Sequence, residues 1–325
     1  MPFKEFSKSI LKLPLLEYLE IYNGNFSYID FNSLHNLKKI KYHFYKNFNQ
    51  ILSIKSLKEI HIITDLDYLD LTSIHDTNLS VNKLICNCRK DDDYELNYNI
   101  NEILNKLPNL TDLFLITNLT DHRIVKGGWE DSKINLEINE NSNCKINKIT
   151  LILYFGDIKI YCQKFENLEK FEIKTYNDRP TTILNISNSL PMFSNYRKII
   201  YNSLIELNLY LSQLIKVEIF KNLKNNIDYM PKLKKIYLHF TTDIDRTTYE
   251  EFIRKLLSLK LEFINIDISF NLRKFNFYND KDDDEDDDWC YNDHNYSFEE
   301  LKIINENILS LNFENIKIKK YIQEQ

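Results

Sequence analysis

The sequence contains no alanine, only three valines and only four glycines among its 325 residues. Asn, Ile, Lys, Tyr and Asp are abundant instead, which is the bias of an AT-rich genome. Because glycine is so scarce, the chain has no Gly-rich loop of the kind that cradles phosphates. Runs of Asn and Lys reflect the same bias and carry little functional information.

Long apolar stretches and a cysteine framework are missing as well. No segment approaches the roughly 18 consecutive apolar residues of a membrane-spanning helix. The N-terminal stretch lacks the apolar region and small-residue cleavage site of a signal peptide. The five cysteines are odd in number and scattered without a disulfide pattern. We therefore expect a cytoplasmic protein that does not enter a membrane.

The charge balance is acidic, with a formal net charge of −6 and a pI near 5.7. This balance argues against a nucleic-acid binder, which must neutralise phosphates. Hydrophobic residues make up 43% of the chain and aromatic residues 13%, enough for a substantial core. A globular or solenoid protein is expected.

A short apolar spacing recurs along the chain. In "LPNLTDLFLITNL" (107–119), Leu110, Leu113 and Leu115 are separated by three and then two residues. The last two would share one face of a short strand, since side chains alternate along a strand. Copies of this spacing begin at Leu16, Leu37, Leu57, Val81, Leu110, Ile146, Leu168, Leu204, Leu233, Leu261 and Ile308.

With eleven copies, most of them spaced in or close to the roughly 20 to 29 residues typical of that family, the chain resembles the leucine-rich repeat superfamily. The resemblance runs from about Leu13 to Phe313, and Asn118 falls at the position of the family's Asn. It implies an α/β solenoid with a curved parallel sheet of about eleven short strands on its concave side. Helices and irregular segments would form the convex side. We expect residues 1–325 to form one such domain.

Several segments between the predicted strands have helical features. Residues 248–260 carry apolar residues at helical spacing, after a capping box of Thr248 and Glu251. Residues 297–308 show the same combination, and residues 101–107 predict a shorter helix. The first repeats are only 20 or 21 residues long. We expect those to return through short turns or irregular chain.

Two acidic, polar stretches do not fit the repeat: residues 89–99 and 279–296. Blocks of like charge are usually solvated loops, and we expect the same here. Asp282, Asp284 and Asp286 alternate as in a calcium-binding loop. However, Asp287 occupies the position where an EF-hand requires glycine, so an EF-hand is not supported.

The sequence offers no constellation that supports catalysis. The seven histidines form no metalloprotease-like pair. Cys86 and Cys88 would both face the buried side of one strand and lack a second ligand pair for zinc. We therefore expect no catalytic residue, no metal, no cofactor and no enzymatic activity.

The concave face is where leucine-rich repeat proteins usually bind proteins or peptides, and two residue groups on it are candidates. Apolar residues from four successive copies would form an exposed patch, which marks interaction sites; they are Ile63, Ile85, Phe114, Ile116 and Ile152. A more polar aromatic group contains Tyr210, Tyr237 and His239. Charged residues beside the two groups would select the partner; they are Lys41, Glu172, Lys174 and Asp267.

These observations predict a non-catalytic intracellular module that binds a protein partner on the concave sheet face. One alternative, suggested by the resemblance, is the substrate-recognition subunit of a ubiquitin ligase that lacks its own adaptor motif. A second is a divalent-metal-dependent hydrolase using the acidic insertion at 279–296. A third is a structural spacer, which would show no contiguous patch on that face.

Overall fold

The computed structural model describes fifteen segments of the chain. They are residues 13–21, 31–43, 48–64, 76–90, 97–99, 101–119, 133–138, 145–153, 157–162, 167–175, 202–215, 217–242, 246–259, 261–270 and 316–319.

The fold is α/β, and across the described residues it is built on one open sheet of eleven parallel strands. Neighbouring strands follow each other in chain order, as in a solenoid, except that three strands of a second sheet are interposed in sequence. The eleven strands are β1 (Tyr18–Ile21), β2 (Lys39–His43), β3 (Glu59–Thr64), β4 (Lys83–Lys90), β6 (Asp112–Leu119), β8 (Lys148–Leu153), β10 (Lys170–Thr175), β11 (Glu206–Ile215), β12 (Lys235–Thr242), β13 (Phe263–Phe270) and β14 (Ile316–Lys319).

The register of the sheet confirms the repeat spacing in ten copies. In each pair of neighbouring strands, the second apolar residue of one copy lies opposite the second of the next, as Leu84 does beside Leu113. The second and third apolar residues of each of these copies lie on one face of the sheet, are buried, and belong to one continuous core cluster from Leu19 to Ile266. Stacking thus buries faces that no single unit could bury alone.

The eleventh copy differs from the prediction. Ile316, rather than Leu311, stands opposite Ile264, and Ile318 stands opposite Ile266. The predicted residues Ile308 and Leu311 lie outside the described residues. Ile316 and Ile318 supply two apolar residues at the same spacing as the predicted Leu311 and Phe313. The later pair is the one that stands beside β13.

A second, three-stranded parallel sheet consists of β5 (Asn97–Asn99), β7 (Lys133–Ile138) and β9 (Asp157–Cys162). Its strands lie in the three consecutive connections from β4 to β10, and only the first of these contains a stretch that was set apart from the repeat, residues 89–99. The expectation of a solvated loop at 89–99 was therefore wrong at both of its ends, since β4 continues to Lys90 and β5 occupies Asn97–Asn99. The alternating apolar residues in "KINLEI" and "DIKIYC" were the available signal.

In the parts of the return segments that the structure describes, there are four α-helices: α1 (Phe48–Leu52), α2 (Asn101–Asn105), α3 (Val217–Asn226) and α4 (Arg246–Ser258). Two short 3-10 helices, Phe31–Ser33 and Ile227–Tyr229, accompany them. Helix α2 confirms the predicted short helix at 101–107 in all but its last two residues. Helix α1 was not predicted, because a 20-residue repeat was expected to return without a helix.

Helix α4 confirms the helix predicted at 248–260 but not its cap. Phe252 and Leu256 are buried in the core cluster, and Leu259, just after the helix, packs against it. The helix begins at Arg246, so Thr248 lies within its first turn instead of capping it. The predicted helix at 297–308 lies outside the described residues.

Successive units are joined by a ladder of shared carbonyl groups just before the strands. The N–H groups of Lys38 and Lys39 both donate to the carbonyl of Glu17, at 2.9 and 3.0 Å. The same pair of hydrogen bonds recurs from each unit to the next. The last pair is formed by the N–H groups of Glu262 and Phe263, which donate to the carbonyl of Lys234 at 2.8 and 3.1 Å. These bonds fix the spacing of the units and hold all the strands in one register.

Candidate interaction surface

The side of the main sheet opposite the core, here called the outer face, carries three rows of side chains. The alternation is clearest in β10, where half-buried and buried residues follow each other in turn. The first row contains Tyr18, Lys39, Glu59, Lys83, Asp112, Lys148, Lys170, Glu206, Lys235 and Phe263. The second contains Glu20, Lys41, His61, Ile85, Phe114, Thr150, Glu172, Asn208, Tyr237 and Asn265, and the third Ile63, Asn87, Ile116, Ile152, Lys174, Tyr210 and His239.

The apolar candidates come together in the middle of this face. Ile85 lies opposite Phe114, and Ile116 lies opposite Ile152 on the neighbouring strand. All four side chains are half-buried, neither sealed from solvent nor fully exposed. They form one contiguous group, which we call the apolar cluster.

Ile63 does not belong to the exposed group, and the prediction of its exposure was wrong. Its side chain is only 5% exposed, although it lies outside the main core cluster. Thr150 and Asn208 are similarly covered, with 3% and 4% exposure. Strands in a sheet lie about 4.8 Å apart, so side chains at the same register cover one another even on an outward face.

The first row was missed by the sequence analysis, which considered only the two rows beyond it. Its charges largely alternate along the sheet. Glu59 lies between two lysines, 2.9 Å from the ammonium of Lys39 and 3.2 Å from that of Lys83. Asp112 follows, 3.9 Å from Lys148. The available signal was a charged residue directly before the second apolar residue in eight of the first ten copies.

Two carboxyl groups of the first row have perturbed titration. Burial alone would raise the pKa of Glu59, but hydrogen bonds from Lys39 and Lys83 outweigh it and lower the pKa below its usual value. Burial likewise opposes the hydrogen bonds from Lys170 and Asn208 that lower the pKa of Glu206. Both side chains are therefore charged at neutral pH, and the row keeps its alternating charges.

The ring of Phe114 is flanked by cations. The ammonium groups of Lys83 and Lys148, on the strands at either side of β6, each lie 5.2 Å from the centre of the ring. This distance is within the range of a cation–π contact. The apolar cluster therefore has lysines along one border.

The second candidate group is only partly brought together. Tyr210 and His239 lie with their ring centres 6.4 Å apart, and Lys174 sits 5.2 Å from the Tyr210 ring. Lys174 also forms an ion pair with Glu172 at 2.8 Å. Tyr237 packs instead against Phe263 of the first row, with ring centres 5.0 Å apart. Asp267 stands opposite His239 in β13, and its side chain is not among those that the structure describes.

His61 is held neutral on this face. Burial, with help from the nearby charges of Lys41 and Lys39, lowers its pKa to about 4. Its Nε2 atom is buried and has no hydrogen-bond partner within the described part of the chain. The same holds for one oxygen each of Asn87, Thr150 and Asn208.

Neither an activated Cys86 thiol nor a metal-ligand cluster is found in the described residues. Burial raises the pKa of the Cys86 thiol to about 12, so the group stays protonated and is a poor nucleophile. Among the segments with described coordinates, no three His, Cys, Asp or Glu residues come close enough to hold a metal ion. The acidic insertion at 279–296 lies outside those segments, and the side chain of Cys88 in β4 is not described.

The helices described here include none that is both long and apolar enough to cross a membrane. A search with protein-family models finds no match to this chain. A search of curated proteins likewise finds no relative.

Proposed function

We propose that the protein is a non-catalytic interaction module, built as a leucine-rich repeat solenoid, that binds a protein partner on its outer face. In that arrangement the outer face is the concave side of a curved sheet, and the return helices form the convex side. The parallel sheet in chain order and the regular repeat register support this assignment.

The apolar cluster is the observation on which the proposed function rests. Packing of the repeats requires apolar residues on the core face, but it does not require Ile85, Phe114, Ile116 and Ile152 on the outer face. Contiguous apolar surface bordered by polar residues is typical of interaction sites. Phe114 would be the central anchor, since buried aromatic residues often dominate binding energy.

The test is a capture experiment from an extract of the source cells, using the intact chain. A Phe114→Asp, Ile116→Asp variant places two carboxylates in the apolar cluster. The matched control is Leu15→Asp, Leu79→Asp, since those leucines are 82% and 66% exposed and lie in the segments before strands. Circular dichroism checks that both variants are folded.

We expect partners that are captured by the native chain and by the control variant but lost with the cluster variant. Equal capture by all three proteins would refute binding at the apolar cluster. A direct affinity measurement with a captured partner should then show a loss of at least about 2 kcal/mol for the cluster variant, as expected for a central anchor.

A further inference from the structure

The outer face has a charge opposite in sign to that of the whole chain. Among its described side chains, seven are lysines: Lys39, Lys41, Lys83, Lys148, Lys170, Lys174 and Lys235. Five are carboxylates: Glu20, Glu59, Asp112, Glu172 and Glu206. Seven minus five gives a net charge of +2 on this face, whereas the chain carries −6. The face is therefore complementary to an acidic partner.

Part of the excess positive charge lies next to the apolar cluster, where Lys39, Lys83 and Lys148 accompany only Glu59 and Asp112. Glu59 is shared between Lys39 and Lys83, so one carboxylate serves two ammonium groups. Lys148 is 3.9 Å from Asp112, at the outer limit of an ion pair. Both Lys83 and Lys148 thus have charge available for a further carboxylate while they flank the Phe114 ring.

We propose that the outer face binds an acidic protein segment in which an apolar residue is flanked by carboxylates. The apolar residue would pack on Phe114 and Ile116, and the carboxylates would pair with Lys83 and Lys148. In an extended segment, residues two apart face the same side, so carboxylates two residues before and two residues after the apolar residue would lie about 13 Å apart. The lysines come from strands two positions apart, about 10 Å, a difference that their flexible stems can span. This inference rests on the proposed function and specifies the partner's chemistry.

A direct binding experiment tests it with a defined probe. The probe is a fluorescein-labelled peptide of about twelve residues in which Asp stands two residues before and two residues after a central Phe, and Ser and Leu fill the other positions. Two comparison peptides replace every Asp by Lys, or every apolar residue by Ser. Fluorescence anisotropy with the full chain gives the affinities. We expect saturable binding of the acidic apolar peptide, with both comparison peptides at least about tenfold weaker.

Variants of the protein locate the contact. Lys83→Gln, Lys148→Gln removes the two cations beside Phe114. Lys38→Gln, Lys234→Gln makes the same change in net charge at exposed lysines that pair with Glu17 and Glu262 outside the three rows. We expect the first variant to bind the probe about three- to tenfold more weakly. The second should differ from the native chain by less than about twofold.

Salt provides an independent readout, because screening weakens pairs between exposed charges. Binding of the acidic peptide should fall as ionic strength rises, and the dependence should be smaller in the Lys83→Gln, Lys148→Gln variant. Binding that is independent of salt, absent, or equally strong for the Lys peptide would overturn the inference. So would binding lost equally in both Gln variants.

The outcomes separate this inference from the proposed function. If cellular partners are lost with Phe114→Asp, Ile116→Asp but retained with Lys83→Gln, Lys148→Gln, the face binds protein without acidic recognition. The proposed function then stands and the inference fails. If neither variant loses a partner, both fail.

Discussion

The two faces of the main sheet follow the same alternation but differ in how much they vary. On the core face, every strand of the main sheet from β1 to β13 presents an apolar residue at the same two positions, and all of these residues are 0 to 7% exposed. On the outer face, a single register position holds residues as different as Glu20, His61, Phe114 and Thr150. Stacking constrains only the core face, so an apolar residue on the outer face calls for a different explanation.

The largest expected contrast is between two adjacent residues of β10. Phe171 is 1% exposed on the core face, and Glu172 is half-buried on the outer face. Phe171→Ala should lower the free energy of unfolding by about 3 to 5 kcal/mol, because it leaves a cavity in the core. Glu172→Ala, which loses an ion pair with Lys174, should cost less than about 1 kcal/mol.

Urea unfolding followed by circular dichroism measures both changes. The matched control is a second adjacent pair, Ile236→Ala and Tyr237→Ala on β12, where Ile236 is fully buried. If Glu172→Ala destabilised the chain as much as Phe171→Ala, the distinction between a structural and a variable face would be wrong.

The sequence was sufficient to predict the core face. Strand register in ten copies could be read from the spacing, because each apolar triplet must be buried against its neighbours whatever the other residues are. For the outer face, the sequence predicted which residues point outward but not how exposed their side chains are. The sequence places Ile63 on that face, but it does not show how far neighbouring side chains cover it. That coverage depends on adjacent strands that are distant in sequence.

The return segments show a similar limit. The second sheet was missed because its strands lie in connections of irregular length, where the repeat gives no register. Helix α4 could be predicted from its apolar spacing, whereas its first residue could not, since a capping box is only a local signal. The sequence also did not reveal that Asn78 is buried. Asn78 occupies the position that is leucine in the copies beginning at Leu37 and Leu110, namely Leu34 and Leu107.

Asn78 is a polar exception on the core side, with 3% exposure. Its Nδ2 group donates to the carbonyls of Leu52 and Ile54, each at 2.9 Å. Its Oδ1 atom accepts from the N–H groups of Ser80 and Val81, at 2.9 and 3.1 Å. The side chain thus joins the end of one repeat to the turn that begins the next.

Replacing Asn78 should have the second-largest effect on the free energy of unfolding. We expect Asn78→Ala to cost about 2 to 4 kcal/mol, because several buried backbone groups lose their partners. Asn78→Leu introduces the leucine that other copies have at this position and fills the space, but it leaves the same backbone groups without hydrogen-bond partners. Urea unfolding of both variants would decide the matter: a stable Leu variant would mean that packing, and not hydrogen bonding, fixes this turn.

A smaller effect is expected in the first row of the outer face. Glu59→Gln removes the charge shared by Lys39 and Lys83 and should cost about 1 kcal/mol at neutral pH. The folded-state pKa of Glu59 lies below its unfolded value. Its contribution is therefore present above about pH 4.5 and lost as pH falls through the folded pKa. Native chain and variant should converge in stability under acid; a constant difference would contradict the ion-pair explanation.

A second pH-dependent effect concerns His61, whose pKa of about 4 lies below the ordinary value of 6.5. Between these values the unfolded chain binds a proton that the folded chain does not, so stability should fall as pH drops from 6.5 towards 4. His61→Gln should remove this part of the pH dependence while keeping a polar side chain between Lys41 and Ile85. The Glu59→Gln variant is the control, because its pH dependence lies lower. Unfolding measured at about pH 7, 6 and 5 should show His61→Gln with the flatter profile, and parallel profiles would mean that His61 is solvated and titrates freely on the outer face.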